Sequence, residues 1–156
     1  MTAKTAQSPF NIPELKISYR PRVKASDLPQ ILDSESAYEI FRNHWDIDTL
    51  EYQEQLYIML LNYGNRLIGI SKVASGGMTQ VGGDAKIIFG IALKSGASYM
   101  ILAHNHPSGE IIAGPADIAF TNKMRQAAKV LDMAVVDHLI IAKDSYTSLA
   151  DEGLMD

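Results

Sequence analysis

The sequence predicts a single α/β domain with a mixed β-sheet covered by helices. Three observations carry this. Apolar runs of strand length alternate with helix-period segments along the 156-residue chain. Two of those runs are joined by the turn residues "YGNR", which makes a hairpin and therefore an antiparallel pair. Runs such as "LYIMLLN" are apolar on both faces, as strands buried between two layers are. A chain of this length suits one domain with a real core.

Taken in order, residues 1–13 are small and polar, with Pro9 and Pro13, and read as a flexible tail. "ELKISYR" (14–20) alternates Leu15, Ile17 and Tyr19 with polar residues, the pattern of a half-buried edge strand. The connector "PRVKASDLPQ" follows. Arg20, Arg22 and Lys24 around its start read as a solvated strand edge rather than a nucleic-acid patch. A helix is predicted from Ser34 or Ser36 to about His44, with Ala37, Ile40 and Phe41 on one face. Trp45 anchors this piece to the core, and His44 is a surface residue. Strands follow at 56–62 and 67–74, then the glycine-rich loop "SGGMTQVGGD", which lacks the Gly-Lys-Ser/Thr of a phosphate loop.

Asp84 suits the N-cap of a helix over 84–95 that ends at Gly96. "SYMILA" (98–103) is a short apolar strand. A long helix over 115–131 carries Phe120, Met124, Ala127, Ala128 and Leu131 at helical spacing. "MAVVDHLIIA" (133–142) is another buried strand, and "YTSLADEGLMD" closes the chain with a short strand and tail. There is no internal repeat.

Composition narrows the function. The chain is 47% hydrophobic and 21% charged, with a net charge of −4, so it shows no basic excess for nucleic acid. It has no cysteine, which excludes disulfides and thiolate metal sites. No apolar stretch approaches a membrane span and the N-terminus has no apolar signal core, so a cytoplasmic protein is expected.

The candidate site lies in "ILAHNHPSGE" (101–110). In extended backbone alternate side chains share a side, so His104 and His106 can address one ion while Asn105 points elsewhere. Pro107 and Gly109 turn the chain. Pro115 suits the first position of the next helix, making Gly114 its N-cap and placing Asp117 in its first turn, where the dipole favours a carboxylate. His104, His106 and Asp117 thus form an open N₂O set of the kind a catalytic zinc uses. The competing reading is a polar turn followed by an N-terminal helix carboxylate. On the residues alone both stand, with the metal reading in front. Asp137-His138, inside an apolar strand, reads as a hydrogen-bonded structural pair rather than a pair orienting a ligand. Asn105 reads as stabilising the loop.

"HNHPSGEIIAGPAD" resembles the JAMM signature of JAB/MPN metalloproteases. With "LLN…NRLIGISK", "LDMAVVDHLIIA" and "YTSLADEGLM", it is similar to the C-terminal domain of bacterial RadC proteins, a family historically labelled DNA repair proteins. The resemblance runs from about residue 14 to the C-terminus, so a RadC-like domain is expected over 14–156, without an N-terminal helix-hairpin-helix region. It implies an α/β/α, cytidine-deaminase-like (JAB/MPN) fold. It also implies a zinc-dependent hydrolase that cuts a peptide or isopeptide bond in a protein or peptide partner. Direct nucleic-acid binding and a membrane are not expected. His104, His106 and Asp117 fall on the family's zinc positions. Glu54 falls on its general base, with Glu51 as the fallback. The family's serine, which hydrogen-bonds the tetrahedral intermediate, is Gly114 here. Ser108 matches a different family position. Loss of that hydroxyl leaves a catalytically silent zinc-binding module as the alternative.

Overall fold

Five strands, β1 (Gln55–Leu61), β2 (Leu67–Ser75), β3 (Tyr99–Asn105), β4 (Ala134–Ile141) and β5 (Tyr146–Ser148), form one sheet in the order β2-β1-β3-β4-β5. This arrangement comes from a computed structural model that describes residues 21–76 and 82–155, together with Pro13 and Lys16. The expected tail over 1–13 and strand over 14–20 fall, apart from those two residues, outside the described residues. Residues 77–81 of the glycine-rich loop do too. The β3–β4 pair is parallel and every other pair is antiparallel, so the sheet is mixed as predicted.

Helices α1 (Ser34–His44), α2 (Ile47–Leu50), α3 (Ala85–Ser95) and α4 (Pro115–Val130) complete the fold. The α1 helix starts at Asp33, whose carboxylate accepts from Ser36 N at 2.8 Å while Ser36 Oγ accepts from Asp33 N at 3.3 Å. This reciprocal cap satisfies two donors that a helix start would otherwise leave unpaired. The α3 helix is capped by Asp84 and stops at Gly96, where φ of +70° suits glycine. The α2 turn and a short 3-10 turn over Ala25–Asp27 were not expected; each is too short to show a period.

Strand alternation divides the core into two layers. Leu56, Ile58 and Leu60 pack with Met100 and Leu102 against Ile88 and Ala92 of α3 and Met124 and Ala128 of α4. Tyr57, Met59 and Leu61 face the other way, with Ile101, Ala103, Leu139 and Ile141, toward Phe41 and Trp45. Hence every residue of β1 is buried, and the apolar run of "QLYIMLL" has its physical cause. Trp45 is buried as expected, and His44 is exposed, edge-on to the Tyr57 ring. Ile58 is fully buried between these neighbours. Truncating such a side chain to alanine costs about 2–5 kcal/mol. Among the described residues no helix is long and apolar enough to cross a membrane.

Candidate metal centre

The C-terminal end of β3 carries the first histidine. β3 runs two residues further than expected, so His104 is a strand residue with 3% exposure rather than part of the loop. It follows Met100 and Leu102 on the face toward α3 and α4. His106 lies just past the strand end. The turn after it is closed by Gly109 N donating to His106 O at 2.9 Å, with Gly109 at φ +81°. His106 Nδ1 lies 2.7 Å from the Glu110 carbonyl. A carbonyl only accepts, so this nitrogen carries a proton, and Nε2 is the ring atom turned toward His104 and Asp117.

The β1–β3 register brings in the carboxylate. Leu56 pairs with His104 in an antiparallel ladder, and continuing that register by two residues sets Glu54 beside His106. One atom each from Glu54, His104 and His106 lies within 4.8 Å of the others. Glu54 is 6% exposed and buried at this strand start, not a solvated carboxylate. Glu51 is exposed at the C-cap of α2.

Asp117 arrives from the first turn of α4. Gly114 is the N-cap and Pro115 the first helical residue, as the sequence predicts. Asp117 Oδ2 accepts from Gly114 N at 2.8 Å, Oδ1 lies 3.1 Å from His104 Nε2, and Oδ2 lies 3.6 Å from His106 Nε2. The two Nε2 atoms are 2.9 Å apart. Burial pushes the Asp117 carboxyl upward, but the two histidines facing it outweigh this and hold it well below the usual carboxylate range. The Asp117 partner raises His106 above the ordinary imidazole value.

These groups line a cleft of about 440 Å³ whose apolar wall includes Leu56, Ile112 and Phe120. Three carboxylates (Glu54, Glu110 and Asp117) line it with the histidines, and no lysine or arginine appears among the described lining residues. Such a set calls for a cation, either protons or a metal ion. Nitrogen and carboxylate-oxygen donors of this kind suit a zinc-like ion. A Cβ added at Gly114 would meet only Asp117 Oδ2, at 3.5 Å, an ordinary contact.

The family profile described as RadC-like JAB domain matches residues 31–154. The chain belongs to this family. Its relatives include UPF0758 proteins of Flavobacterium johnsoniae, 33% identical over 133 residues, and Porphyromonas gingivalis, 36% identical over 138 residues. These alignments cover 85% and 86% of this chain but 58% and 60% of the relatives. A third, from Carboxydothermus hydrogenoformans, is 39% identical over 102 residues, covering 65% of this chain and 45% of the relative. The chain thus spans about half of the length of the curated relatives it matches.

Two surrounding features of this RadC-like JAB domain differ from, or go beyond, the sequence reading. Asn105 is fully buried on the opposite sheet face. It accepts from Gln55 N at 2.7 Å and donates to Leu50 O at 2.6 Å and Gln53 O at 2.9 Å. It therefore clamps the loop that delivers Glu54, which extends the expected loop-stabilising role. Asp137 and His138 do not form a side-chain pair. Asp137 accepts from Ser148 Oγ, Ala150 N and the His138 backbone N, and burial raises its carboxyl. The His138 ring instead touches His104 and Thr121, at 2.7 and 2.6 Å. Period-two alternation already separates neighbours in a strand, but it cannot say which one faces the site. A β-bulge that leaves Val136 unpaired decides it. The sequence marks Thr121 only by its place four residues after Asp117, one turn along the same helix face.

Proposed function

We propose that this domain is a metal-dependent hydrolase of the JAMM type, holding zinc on His104, His106 and Asp117 and cutting a peptide or isopeptide bond. The observation that carries this is the convergence of two imidazole nitrogens and the Asp117 carboxylate beside a buried Glu54, with no lysine or arginine among the described residues that line the cleft. Zinc in such a site supplies Lewis acidity, which brings the pKa of water to about 7 and polarises a carbonyl. The chain's own residues do the rest. Glu54 takes the proton from the attacking water and returns it to the leaving amine as the carbon–nitrogen bond breaks. Leu56 and Phe120 exclude bulk water beside that carboxylate, and Asn105 holds its loop. The Gly114 N–H is engaged by Asp117 Oδ2, so it is not an open oxyanion donor.

Gly114 favours a second reading, a zinc-binding module with little or no turnover. Losing one oxyanion donor costs on the order of 10²–10³ in rate. Metal analysis of protein purified without added metal tests the site: zinc near one per chain, lost in the His104→Ala/His106→Ala variant, is expected. Absence of metal under every condition would sink both readings. Cleavage of a peptide library by the wild type then separates hydrolase from silent module.

A further inference from the structure

We infer that Thr121 and His138 are positioning residues that hold His104 in the one tautomer able to present Nε2 to a cation. The argument is a chain of proton assignments. Thr121 Oγ1 donates to the Asp117 carbonyl at 2.7 Å, because a carbonyl has no proton to give. A hydroxyl has a single proton. The 2.6 Å contact between Thr121 Oγ1 and His138 Nδ1 therefore uses the proton of Nδ1. His138 is 1% exposed and its two ring nitrogens touch an imidazole and a hydroxyl, neither of them an anion. A buried imidazolium without a counter-ion is costly, so the ring is neutral and its Nε2 bears only a lone pair. The 2.7 Å contact from His138 Nε2 to His104 Nδ1 is then an Nδ1–H donor on His104. That leaves the His104 Nε2 lone pair aimed at His106 and Asp117.

The relay closes on itself. Asp117 offers its side chain to the cluster and its carbonyl to Thr121, so the same turn of α4 supplies a ligand and sets the tautomer of another. Ligating histidines are commonly oriented by a partner on the second nitrogen, and losing that partner costs about 10–100-fold in metal affinity. Here the partner is a neutral imidazole, which orients only because Thr121 orients it. Thr121→Val keeps the shape and removes the hydroxyl. His138 can then move its proton to Nε2 and donate to His104 Nδ1, which shifts the His104 proton onto the nitrogen facing the cluster.

This rests on the metal-centre reading for its consequence, but its proton assignment can be read in metal-free protein. Nitrogen-15 NMR of the histidine rings in the chelator-treated full chain is expected to show His138 protonated at Nδ1 and bare at Nε2, and His104 protonated at Nδ1. In Thr121→Val the His138 pattern reverses; in Thr121→Ser it stays as in the wild type. Zinc titration against a chromophoric chelator should show a 10–100-fold weaker Kd for Thr121→Val and a value within threefold of wild type for Thr121→Ser. A His138 proton on Nε2 in the wild type overturns the inference, as does a Thr121→Val variant that binds zinc like the wild type. A wild type with the expected tautomers that binds no zinc overturns the proposed function and leaves the assignment standing.

Discussion

Leu56 and His104 are direct partners in the antiparallel β1–β3 ladder, and this one pairing brings Glu54 to the two histidines. The residues are nearly fifty positions apart in the chain. Side chains two residues on from a paired position stay on the same sheet face. Glu54, Leu56 and His104 therefore share the face that packs α4, where Asp117 enters from above.

That register separates the two candidate bases. Glu54→Gln is expected to lower hydrolysis by about 10²–10⁴-fold, the usual contribution of a general base. Glu51→Gln should leave it within about twofold, since Glu51 is exposed at the C-cap of α2. Steady-state cleavage of a peptide substrate measures both. Equal losses in the two variants would remove Glu54 from its assigned role.

Asn105 should matter for folding as much as for the site. Asn105→Asp keeps the size but turns two donors into acceptors facing the Leu50 and Gln53 carbonyls. Asn105→Ala removes the side-chain partner of three backbone groups, Gln55 N, Leu50 O and Gln53 O. A loss of about 2–4 kcal/mol is expected for Asn105→Ala from the cost of unsatisfied buried groups. Urea denaturation reads it.

Gly114→Ser tests the missing hydroxyl. The added Cβ has an ordinary contact with Asp117 Oδ2 and the N-cap geometry is already extended. Stability should change by less than about 0.5 kcal/mol, because glycine and serine differ little at N-caps. Turnover should rise if that hydroxyl limits the wild type. Unchanged turnover beside intact zinc binding would show that it does not.

Metal removal and pH should act together. The folded Asp117 carboxyl lies below its unfolded value, so its stabilisation is present above about pH 4 and is lost as pH falls. His106 lies above its unfolded value, so its stabilisation is present below about pH 6.5 and is lost as pH rises through the folded value. In chelated protein the contribution of this pair is thus greatest between about pH 4 and 6.5, which thermal melts across pH would detect. Zinc needs the imidazoles unprotonated, so its affinity should rise with pH. With zinc at 1,000 times Kd, binding adds about 4 kcal/mol and a Tm increase of roughly 8–16 °C.

The mixed α/β order, the buried strands, the caps at Asp84 and Gly114, and His104, His106 and Asp117 as candidate partners are all legible in the residues alone. Those features are local: they depend on alternation, helical period and turn chemistry within a few residues. What surrounds the cluster depends instead on how distant segments pair and pack. The β1–β3 register brings Glu54 to the histidines. A single unpaired residue, Val136, turns His138 rather than Asp137 toward His104. Asn105 reaches across to a loop some fifty residues earlier in the chain. Strand pairing and bulges are settled by the packing of distant segments, and a shift of one residue exchanges the two faces of a strand.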